Sequence, residues 1–156
     1  MIYIFILSKH FTRFTATLAI TLLFSSHSFS QSLAGEWKGS FIGDAMYEKP
    51  IPFALHFALN KDSSYKVYSY SLVYNPMEQV SETLVSEVAC RLTGTDSIYL
   101  EETKQVKPKT GQGCLQKFAL AIKKKNGKMI LEGTWSYAQI STKCGDETGT
   151  VSLTKK

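Results

Sequence analysis

Ile51–Asn60 reads IPFALHFALN, and its alternation decides the fold class. Ile51, Phe53, Leu55, Phe57 and Leu59 fall on one face of an extended chain, with Ala54, His56 and Ala58 on the other. A period of two marks a strand with one buried face, because successive side chains point to opposite sides. The same period recurs in both directions. Upstream, Leu33–Gly43 aligns Leu33, Trp37 and Phe41. Downstream, Tyr65–Tyr74 aligns Tyr68, Tyr70, Leu72 and Tyr74, and Thr83–Leu92 aligns Val88, Cys90 and Leu92. Asp96–Glu102 brings Ile98 and Leu100 together, and Leu115–Lys124 does the same for Phe118, Leu120 and Ile122. Met129–Tyr137 aligns Met129, Leu131, Trp135 and Tyr137, and Thr148–Thr154 closes the series with Val151 and Leu153. Eight strands and no amphipathic helix are predicted.

The breaks carry turn chemistry. Asn126-Gly127 is the strongest hairpin signal, since a type I′ turn needs φ > 0 at both central residues. Asn60–Ser64 and Thr93–Asp96 read as short loops, while Asn75-Pro76 and the charged run to Glu82 read as a longer connection. Lys104–Gly113 (KQVKPKTGQG) reads as a polar loop. Eight short strands joined in sequence form a meander, whose raw edges are removed when the sheet closes. The predicted fold is therefore an all-β, single antiparallel eight-stranded up-and-down barrel, with an open β-sandwich as the alternative.

Gly35-Glu36-Trp37 in the first strand and Gly133-Thr134-Trp135 in the penultimate one repeat a Gly-x-Trp unit. The segment LAGEWKGSFIG resembles the first strand of the calycin barrels, the lipocalins and avidins, which begin with Gly-x-Trp. Gly43 matches a further avidin glycine six residues after the tryptophan, whereas Gly39 stands where avidins carry asparagine. Lipocalins pack an arginine from near the last strand over this tryptophan, and here only Lys155 and Lys156 are on offer. The resemblance implies a calycin-like (lipocalin/avidin-type) small secreted barrel and names no ligand.

Residues 1–30 read as a signal peptide preceding a single barrel domain at 31–156. Lys9 and Arg13 are the only charged side chains there, Phe14–Phe24 is apolar, and Ser28 and Ser30 suit a cut before Gln31. An uncleaved N-terminal anchor is the competing reading, because MIYIFIL is itself apolar. Cleavage would take the chain from +5 to +3 and leave His56 as its one histidine. No further stretch is long and apolar enough to span a bilayer as a helix, so the mature chain is expected to have no integral membrane segment. It is expected to be exported, to the periplasm or the extracellular space.

An exported chain meets oxidising conditions. Cys114 and Cys144 stand at loop–strand boundaries, where the backbone has freedom to meet disulfide geometry. Cys90 shares an apolar face with Val88 and Leu92. Cys114–Cys144 is therefore the expected disulfide, with Cys90 free.

One histidine and one spare cysteine make a poor metal site, so no metal and no cofactor are expected. His56 has no Gly-x-Ser-x-Gly partner for a catalytic triad. Glu101-Glu102 and Asp146-Glu147 are neighbours on extended chain and read as surface charge, so no catalytic residue is assigned. Residues 91–128 carry nine basic against three acidic side chains. The lysines at 104, 107 and 109, with Lys123–Lys125 and Lys128, read as a solvated loop and hairpin, with a positive rim as the alternative. Few aromatics accompany them for base stacking, so no nucleic-acid partner is expected.

The function expected is a non-enzymatic, exported β-barrel binding module that holds a small apolar or amphipathic (lipophilic) ligand at the barrel mouth. Trp37, Tyr65, Tyr68, Tyr70, Tyr74 and Trp135 are the candidate ligand-binding wall residues. The alternative is a protein-binding envelope accessory factor or inhibitor.

Overall fold

A computed structural model of the chain describes residues 33–43, 49–75, 80–108, 113–139 and 144–156. The expected signal peptide at 1–30 lies outside the described residues. Eight strands follow in order: β1 (Gly35–Gly43), β2 (Ile51–Leu59), β3 (Tyr65–Asn75), β4 (Val80–Leu92), β5 (Ser97–Lys107), β6 (Gln116–Lys125), β7 (Lys128–Tyr137) and β8 (Thr148–Lys155). Each pairs antiparallel with the next, and β1 pairs with β8, so the sheet is a closed up-and-down barrel. Closure removes the edges that an open sandwich would leave.

Two boundaries differ from the sequence expectation. β4 begins at Val80, inside the run read as a connection, and β5 continues to Lys107, through the first four residues of the run read as a loop. The register between β4 and β5 slips twice, between Val85 and Ser86 and between Glu87 and Val88. Each slip gives β5 one residue more than its partner, as a β-bulge does. Polar, lysine-rich chain therefore stays in the ladder although its alternation is broken.

Connections divide the barrel into two ends. Short turns at Asn60–Ser64, Thr93–Asp96 and Asn126-Gly127 lie at one end. Asn126 and Gly127 have φ values of 52° and 77°, as the type I′ turn requires. The β1–β2, β3–β4, β5–β6 and β7–β8 connections lie at the other end, here called the mouth. Lys104 and Lys107 are on the mouth half of β5, whereas Lys123–Lys125 and Lys128 flank the turn at the opposite end. These lysines are thus split between the two ends and do not form one rim; Lys109 lies outside the described residues.

The core is aromatic and aliphatic. Trp37, Leu55, Leu100, Phe118, Leu131 and Leu153 have no exposed surface. Lys155 sets its Nζ 5.9 Å from the Trp37 ring centroid. That is within cation–π range, at the place where the calycin resemblance puts an arginine. Across the seam, Trp135 Nε1 donates to the Ile42 carbonyl oxygen at 2.9 Å. Gly149 lies directly under this bond: a Cβ there would overlap the Ile42 oxygen and crowd the indole nitrogen.

Candidate functional site at the barrel mouth

Pairing fixes which face of each strand looks inward. Phe53, Leu55 and Phe57 of β2 are buried and stand opposite Ser71, Ser69 and Val67 of β3. Directly opposed residues of an antiparallel pair project to the same side, so the serine face of β3 is interior. Tyr68, Tyr70 and Leu72 accordingly lie on the outer face, which corrects the expectation that this stripe lines the wall. Tyrosine is amphipathic and suits either environment. Small inward serines also leave room for the phenylalanine rings of β2. Tyr74 pairs through its backbone with Ser81, and its side chain lies outside the described set.

Of the other expected wall residues, Trp37, Trp135 and Tyr65 are interior. Tyr65 sits at the short-turn end, with its ring edge-on to Phe57 at 5.8 Å and its buried hydroxyl without a hydrogen-bond partner. Trp37 and Tyr65 therefore belong to the closed base, and only Trp135 stands near the mouth.

The mouth half of the interior has two chemically different arcs. One is aromatic and spans β6, β7, β1 and β2. Phe41 packs against Trp135 at 5.0 Å and against Phe53 at 5.6 Å, Phe53 stacks on Phe118 at 5.1 Å, and Trp135 meets Tyr137 at 5.4 Å. The other arc is polar and spans β3, β4, β5 and the start of β6. Ser69, Ser71, Ser86, Glu102 and Gln116 are all buried there.

Glu102 is the centre of the polar arc. Its Oε1 accepts from Ser69 Oγ at 2.5 Å, and its Oε2 accepts from the Gln116 backbone N–H at 2.9 Å. Burial pushes its carboxyl above the usual glutamate range, against the opposing pull of these two donors. From sequence it reads as surface charge, half of an acidic doublet. Its alternation with Ile98 and Leu100 was the overlooked signal, since that face is the buried one. Three residues on, Gln105 stands opposite the interior Ser86 because the bulge at Thr103 resets the alternation. Its Oε1 accepts from Gly113 N–H at 2.6 Å and its Nε2 donates to the Pro108 carbonyl at 3.1 Å, holding the β5–β6 connection against the barrel.

The second acidic doublet lies just before β8. Ser136 pairs with Thr148, the last pair of that ladder, and Glu147 immediately precedes it, two residues before the buried Gly149. Both Glu147 carboxylate oxygens are buried with no hydrogen-bond partner, and so is Gln116 Oε1. Gln116 itself pairs with Tyr137. Glu102, Gln116 and Tyr137 thus occupy the successive strands β5, β6 and β7 on one side of the mouth.

A disulfide frames this row. Cys114 and Cys144 are bonded with a Cα–Cα distance of 5.4 Å, tying the β5–β6 connection to the β7–β8 connection. Cys114 lies two residues before Gln116 and Cys144 three before Glu147. Cys90 is free and half-buried, with its thiol pushed up to about 11 by burial. His56 is exposed on the outer face of β2. Among the described residues no three His, Cys, Asp or Glu side chains converge as metal ligands would, and no helix is long and apolar enough to cross a membrane.

The outer face carries a separate feature. A groove of about 240 Å³ runs across β1–β4, bordered by Lys38, Pro52, Ala54, Tyr70, Leu72 and Thr83. Leu72 and, further along β1, Ile42 are 42% and 43% exposed.

Fold and site together define the class: a closed, disulfide-bonded, eight-stranded antiparallel barrel with an aromatic base and a partly polar mouth. Its architecture is consistent with the calycin resemblance. In comparisons with known proteins no family model matches the chain, and no curated protein or solved structure matches it either.

Proposed function

We propose that this protein is an exported, non-enzymatic binding module of calycin-like type, which takes a small amphipathic molecule at the barrel mouth. The observation that carries the reading is the division of the mouth into an aromatic arc around Phe41, Phe53 and Trp135 and a polar arc around Glu102 and Gln116. Binding sites for small molecules are mostly apolar with a few placed polar groups, and eight-stranded barrels are of a size to hold one small ligand. The disulfide suits an oxidising compartment. Trp135, at the mouth, is the natural reporter. Titration with a panel of short-chain amphiphiles, read by tryptophan fluorescence, is expected to give saturable quenching that Phe41→Ala weakens. Absence of any saturable response across the panel would remove the reading.

A second reading rests on the outer face. Exposed Leu72 and Ile42 near the β1–β4 groove form an apolar patch of the kind that marks protein contacts. It supports a role as a protein-binding accessory factor or inhibitor. A Leu72→Asp, Ile42→Asp double variant would abolish capture of such a partner while leaving amphiphile titrations unchanged.

A further inference from the structure

The short-turn end of the barrel, away from the mouth, carries two features that the binding reading does not use. The first is apolar. Leu59 ends β2 in the inward register of Leu55 and Phe57, and Leu92 ends β4 opposite the buried Ile98. Both stand where the core gives out, so they are 42% and 46% exposed. Each runs directly into a turn, Leu59 into Asn60–Ser64 and Leu92 into Thr93–Asp96. Large apolar side chains held at a protruding rim mark a contact surface.

The second feature is cationic. Lys61 sits in the first of these turns, Lys66 just beyond it, and Arg91 beside Leu92, while Lys123–Lys125 and Lys128 flank the third turn; all are exposed. The Ile122 backbone N–H donates to the Asp96 carbonyl oxygen at 2.6 Å, fastening the second turn beside the strand that carries Lys123–Lys125. Lys66 and Arg91 lie 5.3 Å and 5.4 Å from the ring centroids of Tyr68 and Tyr99, within reach of an attractive aromatic face. The acidic side chains described at this end already have partners: Glu36 pairs with Lys38, Asp62 accepts from Ser64 and Asp96 accepts from Ser97. Glu132, further along β7, pairs with Lys123.

We infer that this end docks on a bilayer surface bearing anionic lipids, with Leu59 and Leu92 entering the acyl boundary and the lysines and Arg91 against the head-group phosphates. Basic side chains around exposed apolar ones are the composition that holds a protein at such an interface. An anionic glycan would engage the cations and leave the leucines in water. Docked this way, the barrel turns its mouth away from the membrane.

The test sediments the disulfide-bonded protein, recovered after export, with vesicles of phosphatidylglycerol and phosphatidylcholine in equal parts, or of phosphatidylcholine alone. In about 0.1 M salt the mixed vesicles should bind at least about twentyfold more tightly, since each cation near an anionic surface contributes about fivefold. Near 1 M salt, where screening leaves a reach of about 3 Å, the difference should shrink to about threefold or less. Lys124→Glu with Lys128→Glu should weaken binding to the mixed vesicles about twentyfold or more. Lys61→Glu with Arg91→Glu repeats that test if the first variant fails to fold. Lys104→Glu with Lys107→Glu makes the same change of net charge on the mouth half of β5 and should weaken binding by no more than about threefold. Leu59→Ser with Leu92→Ser should weaken it at least about fivefold. Equal binding to neutral vesicles, an equal loss from the mouth-half variant, or no loss from the leucine variant overturns the assignment. Capture of soluble polyglutamate with no affinity for the mixed vesicles also overturns it, and gives this end to an acidic polypeptide.

Discussion

Removing the disulfide is the perturbation whose magnitude the structure defines most directly. Cys114 and Cys144 are 30 residues apart. In the chain-entropy model a closed loop of that size lowers the entropy of the unfolded chain enough to stabilise the fold by about 3.6 kcal/mol at 25 °C. The unfolding entropy of a domain of this length is roughly 0.25 kcal/mol per degree, so Cys114→Ser with Cys144→Ser should lower Tm by roughly 14 °C. Urea unfolding followed through Trp37 and Trp135, both buried in the native barrel, measures the loss directly. The unfolded variant is less constrained and exposes more surface, so its m-value should rise as its midpoint falls. Cys90→Ser serves as the control and should leave the midpoint nearly unchanged. A double variant within about 1 kcal/mol of the parent, or one whose entire deficit is reproduced by Cys90→Ser, would refute the reasoning.

Three further outcomes follow from the interior. Burial raises the Glu102 carboxyl above its ordinary value of 4.5, so the folded state holds that proton more tightly than the unfolded one. Its stabilising contribution is complete below that value and is lost as pH rises through the raised folded one. Melting temperatures of Glu102→Gln and the parent, taken across pH 4–8, should therefore diverge in the variant's favour with rising pH; a constant gap would contradict this. Gly149→Ala drives a Cβ into the Ile42 carbonyl and the Trp135 nitrogen, so it should cost about 3 kcal/mol in a denaturant melt and shift Trp135 emission to the red. The Cys90 thiol, at about 11 and half-buried, should react slowly with a disulfide reagent at pH 8 and rapidly once the chain is unfolded.

The alternation of Ile51–Leu59, the Asn126-Gly127 turn and the placement of Cys114 and Cys144 made the barrel and its cross-link legible, because each rests on a local rule of backbone geometry. The site was less legible for two physical reasons. On β3 both faces are plausible as core, tyrosine against serine. What turns the serines inward is the size of Phe53 and Leu55 on the neighbouring strand. On β5 the bulges at Thr103 and Val106 break the period of two, so Gln105 points inward from a run that looks like loop. Glu102 required no long-range information, since Ile98 and Leu100 already define its face. It was masked by the expectation that a glutamate next to a glutamate is solvated.

The pairing of β1 with β8 ties the order of synthesis to the order of assembly. Trp37 lies opposite Lys155 in that ladder, and the same lysine caps its indole. Contacts so far apart along the chain are the slow ones to form. As the polypeptide emerges, each hairpin can zip onto the one before it, yet β1 keeps a bare edge until β8 arrives. The first strand to appear is thus the last to be satisfied. Loss of the last few residues of β8 would cut into both of its ladders, with β7 and with β1, and uncover Trp37. The ring is joined only when Trp37 and Lys155 meet across that ladder.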